Sequence, residues 1–369
     1  MPFPFDPANY QNQLDEKTNR LKTLLSNWDH PELKVFASSP EHYRMRAEFR
    51  FWHDDDRSFF AMFRPEDRRV PIEVENFPVA TLTINDLMQK VRDAAHKDDE
   101  IRNRLFQVDF LTTQSGDALV TLIYHRQLSD AWTARARYWQ EQWGVPVIGR
   151  ARKQRLVLER DFVTETLNIE DTPFSFHQYE NSFTQPNAGV CEQMVSWAVR
   201  HTKNSKDGDL MELYCGNGNF SIPMASNFHR ALGTEISRTS VQSAQENIEL
   251  NSCDNLTIAR MASEDLSKAW LHNEPNRRFR EFDIGSYKFD TILVDPPRAG
   301  LDDDTIKLLK KFRRIIYISC NPESMVNNID ALKDNYTIRH CALFDQFPYT
   351  HHMEAGVILE RDDSQRMDG

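Results

Sequence analysis

From residue 209 onward the chain alternates short apolar runs with helical segments, and no other feature constrains its fold as much. Asp209–Tyr214, Arg230–Glu235, Asn255–Met261, Phe289–Val294 and Arg313–Ser319 read as strands, and Thr337–Phe344 and Gly356–Glu360 complete the set. Helical patterns intervene, one from about Phe220 and another over Ser237–Asn251. Strands separated by helices predict an α/β architecture, a mainly parallel sheet covered on both faces. In such a sheet the parallel strands end on one edge, where the ligand crevice lies.

The first half follows a different pattern. Residues 10–28 predict a polar helix with Leu14, Leu21, Leu24 and Leu25 at helical spacing. In residues 42–55, Tyr43, Met45, Ala47, Phe49 and Phe51 alternate with His42, Arg44, Arg46, Glu48 and Arg50. That period predicts a strand with a mostly basic face, and Ser58–Phe63 reads as its hairpin partner. A helix over Asn85–Ala95, strands over Phe106–Thr112 and Ala118–His125, a helix over Ser129–Trp143, and strands over Gly149–Leu158 and Asp161–Thr166 complete an α+β set. The expected division is an α+β domain at 1–178 and an α/β domain at 179–369.

Charge is unevenly spread. Residues 102–160 hold ten Arg/Lys against five Asp/Glu, inside a chain of formal charge −11. The balance argues against a protein held to nucleic acid by bulk charge but leaves room for a local basic groove. On composition alone this stretch fits both a solvated surface and a nucleic-acid surface. The five cysteines, Cys191, Cys215, Cys253, Cys320 and Cys341, form no CxxC pair, and none lies in the first 190 residues. Neither a disulfide framework nor a zinc site is supported, and a reducing, cytoplasmic setting fits. No apolar run is long enough for a membrane span, and the start lacks the pattern of a signal peptide.

Three motifs carry chemistry. Asp209–Ser221 takes a strand into Gly216-Asn217-Gly218, and Glu235 ends the next strand, where a carboxylate can bind both hydroxyls of a ribose. Ser221 stands where a dinucleotide fingerprint has its third glycine, which argues against a nicotinamide cofactor. Alone, the turn fits both a nucleoside-type cofactor and a plain strand-to-helix connection. Asp295-Pro296-Pro297-Arg298 and Ser319-Cys320-Asn321-Pro322 follow two further strands, so Gly216, Glu235, Asp295 and Cys320 are expected on one rim.

Taken together, NSFTQPN (181–187), ELYCGNGNFS (212–221), TEIS (234–237), VDPPRAGLD (294–302), YISCNP (317–322) and LFDQFPYTHHMEAGVIL (343–359) resemble the S-adenosylmethionine-dependent RNA (uracil-5-)-methyltransferases. The resemblance covers the whole second half and reaches HYRMRAEFRFWHD in the first. It implies a class I S-adenosylmethionine-dependent methyltransferase (Rossmann-like) domain behind an N-terminal α+β RNA-binding domain. It further implies methylation of uridine 54 in the T-loop of tRNA, with tmRNA a further substrate, by a monomer that carries neither an iron–sulfur cluster nor a metal. The same chemistry on ribosomal RNA, and a non-catalytic RNA-binding or RNA-folding protein on the same scaffold, are the alternatives.

The chemistry implied is covalent activation. Carbon 5 of uracil is a poor nucleophile, so a thiolate first adds to carbon 6, carbon 5 then takes the methyl group, and a base removes the C5 proton. By resemblance Cys320 is the nucleophile and Glu354 the base. The antiparallel last strand of this fold starts where the others end, which brings Glu354 to the Cys320 rim. By resemblance Gln185, Tyr214, Asn219, Glu235 and Asp295 contact the cofactor. Glu264, His351 and His352 remain unassigned. Arg44, Arg46, Arg50, Phe49 and Phe106 are of the types that hold phosphates and replace lost base stacking. Both phenylalanines fit core packing equally well.

Overall fold

The computed structural model describes residues 5–54, 57–64, 66–272 and 282–362. Asp55, the last residue of the expected first strand, lies outside them. In chain order the elements begin α1 (Tyr10–Leu24), β1 (Lys34–Phe36), β2 (Arg46–Asp54), β3 (Arg57–Arg64), β4 (Asp67–Glu73), α2 (Leu82–Lys97) and α3 (Asp99–Arg102). Then come β5 (Leu105–Thr112), β6 (Ala118–Tyr124), α4 (Asp130–Trp143), β7 (Val147–Ala151), β8 (Gln154–Val157), β9 (Phe162–Ile169) and β10 (Thr172–Tyr179). They continue with α5 (Ala188–Arg200), β11 (Asp209–Leu213), α6 (Ser221–Ala225), β12 (Ala231–Glu235), α7 (Arg238–Leu250) and β13 (Leu256–Arg260). The last are α8 (Ser263–His272), β14 (Phe289–Val294), α9 (Asp303–Leu309), β15 (Arg314–Ser319), α10 (Pro322–Asp330), β16 (Tyr336–Phe344) and β17 (Glu354–Arg361).

The two compact units are not two consecutive lengths of chain. Among the described residues, the first gathers 5–8, 39–166 and 177–188, whereas the second gathers 9–38, 167–176 and those from 189 to 362. A sequence division at 178 puts α1 and β1 with the first unit. The fold puts them with the second for a physical reason. Leu14, Leu21, Leu25 and Trp28 are buried in the same core as Ile315, Tyr317, Leu343 and Val357. β1 extends that sheet by pairing in parallel with β16, Lys34 opposite Ala342.

The first unit is built on a seven-stranded sheet in the order β4-β3-β2-β5-β6-β7-β8, antiparallel except where β6 meets β7. The alternation read in β2 holds: Ala47, Phe49 and Phe51 are buried and Glu48 is exposed. α2 starts at Thr81, whose hydroxyl accepts from the Ile84 amide, and it buries Ile84, Leu87, Met88 and Val91.

The second unit carries an eight-stranded sheet in the order β1-β16-β17-β15-β14-β11-β12-β13. β11 to β15 run parallel, and β17 lies antiparallel between β15 and β16. Ile315, Ile316, Tyr317 and Ile318 of β15 are all fully buried, as a strand covered on both faces requires.

Candidate active site

Register alone brings the expected residues of the second unit to one edge. Leu213 of β11 stands opposite Thr234 of β12 and Val294 of β14, so Tyr214 neighbours Glu235 and Asp295. Ser319 of β15 stands opposite Ala355 of β17. The next antiparallel step sets Cys320 against Glu354. Glu354 is the first residue of β17 itself, two residues earlier than the sequence pattern suggests.

The turn after β11 is held in unusual backbone geometry. Tyr214, Gly216 and Gly218 all have positive φ, 61°, 55° and 85°. Gly218 donates its amide to Cys215 O, closing the turn, and a Cβ there would strike Ile222 at 2.8 Å. At Gly216 a Cβ would meet nothing within 4 Å, so the backbone faces open space. α6, which follows the turn, is a helix of only five residues.

Glu235 is fixed in this turn. Its carboxylate accepts from the amides of Gly216 at 3.1 Å and Ser237 at 2.7 Å. Ile236, the next residue, is 64 % exposed, an apolar side chain beside a carboxylate. Tyr214 donates its hydroxyl to Glu264 Oε1 at 3.2 Å, which gives Glu264 a place in the site. Asn219 donates its side-chain amide to the Cys191 sulfur at 3.2 Å.

Cys320 is half-buried, and its surroundings oppose ionisation. Burial first, then the charges of Glu354 and Asp295, push the thiol up, and a hydrogen bond from Arg298 pulls it back. Glu354 is buried, and burial together with the charge of Asp295 holds its carboxyl well above the usual range. The Asp295 carboxyl is pushed up to about 7 by burial. Three titratable groups with raised proton affinity thus share this edge, and one guanidinium, that of Arg298, opposes the shift at Cys320 and Glu354.

Two residues essential to this arrangement were not singled out in the sequence. Arg298 is the cation that faces both Cys320 and Glu354. It was signalled as the one basic residue in an otherwise acidic rim motif. Its guanidinium also approaches the His352 ring at 3.3 Å. Glu212, in β11, is buried with its Oε2 unpartnered, and burial, aided by Asp295 and Glu235, pushes its carboxyl up to about 8. A glutamate inside the apolar run LMELYC was its signal. The two motif loops are also fastened to each other. Asn321 donates its side-chain amide to Arg298 O at 2.8 Å, and Asn328 Oδ1 accepts from the Leu301 amide and the Tyr317 hydroxyl, both at 2.8 Å.

Gln185 belongs to the first unit, as do the expected RNA-contact residues. There Phe49 is core, 2 % exposed and packed on Phe60, Phe77 and Phe110. Arg44 Nε donates to Arg46 O, and Arg46 donates to the carbonyls of Ser182 and Glu180, so both side chains brace the unit's own backbone. Arg50 and Phe106 differ. The Arg50 guanidinium lies 3.3 Å from the centre of the Phe106 ring, whose other contact is the His125 ring, stacked at 3.7 Å. Phe106 and His125 line an open cleft of about 690 Å³ together with Arg126, Arg150 and Arg152. Among the described residues no group of three or more His, Cys, Asp or Glu side chains comes together as a metal site, and no helix is long and apolar enough to cross a membrane.

Comparison with known proteins gives the family. Residues 9–362 match the family model described as tRNA (uracil-5-)-methyltransferase. The chain is 50% identical over 357 residues to a tRNA/tmRNA (uracil-C(5))-methyltransferase of Ectopseudomonas mendocina, covering 97% of this chain and 98% of that one. It is likewise 50% identical to the protein of that name from Vibrio vulnificus, covering 96% and 98%. The crystal structure of the Pyrococcus abyssi tRNA (uracil-54, C5)-methyltransferase superposes with a TM-score of 0.72 at 20% identity, over 95% of this chain and 83% of that one.

Proposed function

The chain belongs to the tRNA (uracil-5-)-methyltransferase family, and from that premise we propose that it methylates carbon 5 of uridine 54 in the tRNA T-loop through a covalent Cys320 adduct. It is an S-adenosylmethionine-dependent methyltransferase acting on tRNA or tmRNA uracil, in keeping with its relatives. Position 54 is carried by the family resemblance of the motifs, and the covalent route rests on one observation above all. Register sets a half-buried thiol against a buried carboxyl whose Oε2 has no partner, beside the cofactor turn.

S-adenosylmethionine, when bound, supplies an electrophilic methyl group on a positively charged sulfur. The residues present fit it: the open backbone at Gly216, the carboxylate of Glu235 for the ribose diol, the exposed Ile236 for a flat base, and the buried carboxyls of Glu212 and Asp295, which a nearby cationic group would favour in their ionised form. Tyr214 and Asn219 border the same turn, and we assign Gln185 to the cofactor through the family pattern alone. The Cys320 thiolate, supported by Arg298, adds to carbon 6 of the uracil, and negative charge moves into the C4–C5 enolate. Carbon 5 then accepts the methyl group. Glu354 takes the C5 proton onto Oε2, the ring double bond re-forms, and the Cys320 thiolate departs.

The first unit's cleft supports an RNA partner. Arg50, Phe106 and His125 form a three-layer cationic and aromatic stack beside Arg126, Arg150 and Arg152, the combination that binds phosphates and takes the place of a base withdrawn from its stack. We propose the T-arm as the segment bound, by a monomer in the cytoplasm. Digestion and mass mapping of tRNA lacking this modification, after incubation with the enzyme and S-adenosylmethionine, tests the assignment. One methyl group at uridine 54 is expected, and methylation elsewhere with 54 untouched overturns it.

A further inference from the structure

We propose that α1 is a latch on the catalytic loop, with Lys17 and Arg20 as positioning residues that keep Glu354 in register with Cys320. The inference rests on Glu354 being the base.

β16 and β17 are antiparallel neighbours, with Phe344 opposite Glu354, yet nine residues, 345–353, connect them. Hairpin connections commonly need two to five residues. So long a loop leading straight into the base must be held by something beyond the ladder. Phe36 O takes the Asp345 amide at 3.0 Å and Gln346 reaches Met194, but most of the tethers come from a helix more than three hundred residues away in sequence. Tyr10, Gln13, Lys17 and Arg20 recur at the spacing of one helical face, next to the leucine stripe that enters the core.

All four grip the loop. Asp345, whose side chain is fully buried, accepts from Lys17 Nζ at 2.6 Å, Tyr10 OH at 2.8 Å and Gln13 Nε2 at 2.9 Å. Lys17 Nζ donates again to Phe347 O at 2.9 Å, and the Tyr349 amide donates to Gln13 Oε1 at 3.3 Å. Arg20 donates to His351 O at 2.9 Å. Alternate residues 345, 347, 349 and 351 are thus tied before the chain reaches Glu354. The same helix also reaches the nucleophile's side of the site. Arg20 Nε donates to Glu323 Oε1 at 3.1 Å, three residues after Cys320, and Trp28, in the turn that follows α1, donates Nε1 to Asp330 Oδ1 at 2.8 Å at the far end of α10. One element therefore spans the base loop and the helix that follows the nucleophile.

The buried Lys17–Asp345 pair points the same way. Desolvating two charges costs about as much as their attraction returns, so a well-packed apolar pair would serve stability as well. What the ion pair adds is directional hydrogen bonds to one loop conformation.

The test compares Arg20→Ala, Lys17→Met and Lys17→Met/Asp345→Asn with the wild type and with Glu354→Gln, all as full-length enzyme on T-arm RNA. The double variant leaves no unpaired buried charge, and Arg20 is half-exposed, so these two carry the test where Lys17→Met alone does not fold. Four readouts are taken: melting midpoint, S-adenosylmethionine affinity by calorimetry, methyl-transfer kcat, and the fraction of enzyme held as RNA adduct. We expect unchanged cofactor affinity, kcat lowered roughly ten- to hundredfold as for a misplaced catalytic group, and a raised adduct fraction, as in Glu354→Gln. A merely structural helix would lower the midpoint and leave the adduct-to-product ratio alone. Wild-type partitioning in folded latch variants, with Glu354→Gln stalled at the adduct, overturns the latch alone. Wild-type turnover in Glu354→Gln overturns the base assignment and the latch with it.

Discussion

Cys320 stands where its own ionisation is opposed by burial and by two carboxyls, with Arg298 as the opposing influence. The Arg298→Met variant is therefore expected to form the RNA adduct more slowly, by roughly ten- to a hundredfold, the worth of a charge-assisted hydrogen bond of about 1.5–3 kcal/mol. Stopped reactions on T-arm RNA measure it, and an unchanged rate of adduct formation removes Arg298 from that role. Glu212 gives a second test. Its carboxyl is neutral in the fold up to about 8, whereas an unfolded glutamate ionises near about 4.3. The folded state binds the extra proton across that window, so this group's contribution is present below the unfolded value and is lost as pH rises to about 8. Glu212→Gln should raise the melting midpoint at pH 8 and leave it nearly unchanged at pH 5. Equal shifts at both would contradict the raised carboxyl. At this scale the sequence proposed Cys320 and Glu354 by resemblance, and held Arg298 only as a letter in DPPR. What distinguishes Arg298 is proximity to residues 22 and 56 positions later, which no local pattern carries.

Elements were legible where burial dictates composition. β14 and β15 are continuous apolar runs because both faces are covered, and their limits were read to within a residue. Elements with weaker signals escaped. β1 has three residues and exists because β16 offers it an edge. β4 carries charges and a proline, and β10 is mostly polar. Gly149–Leu158 read as one strand but is a hairpin, β7 and β8, turning at Arg152 and Lys153, with Lys153 in the left-handed region at φ 60° where a glycine or asparagine would have signalled a turn. Gly356 shows how tightly β17 is set. A Cβ there would lie 3.1 Å from Ile318, Phe344 and Trp197, all on neighbouring elements. Gly356→Ala should therefore overpack the sheet beside Glu354, destabilising by about 1–3 kcal/mol and lowering kcat. Denaturant unfolding with parallel assays checks this, and wild-type values for both would mean the sheet relaxes freely.

At the scale of the molecule, a chain of charge −11 carries a cleft in the first unit lined by Arg126, Arg150 and Arg152, the first two paired with Glu100 and Glu180. Binding through Arg126, Arg150 and Arg152 releases counterions, so RNA affinity should fall steeply with salt while cofactor affinity does not. Phe106→Ala should remove the ring that orients Arg50 and His125 and so weaken T-arm binding roughly tenfold or more, as expected where a base stacks on the outer layer for about 1–3 kcal/mol, without moving S-adenosylmethionine affinity. Equal loss of both would tie Phe106 to folding of the unit instead. Composition hinted at this surface but could not separate Phe49 from Phe106, since Phe106 lies where the β5–β6 register shifts between Leu105 and Gln107, an irregularity that alternation alone does not reveal.

The central claim is that sulfur bonds transiently to the pyrimidine ring, and one measurement addresses it directly. T-arm RNA carrying 5-fluorouridine at position 54 is incubated with enzyme and S-adenosylmethionine, and the product is examined by denaturing electrophoresis and peptide mass mapping. Fluorine cannot leave as a proton does, so a stable, methylated RNA conjugate through Cys320 is the predicted result, absent in Cys320→Ala. Continued methylation of ordinary RNA by the Cys320→Ala variant, with no conjugate from the wild type, would contradict it.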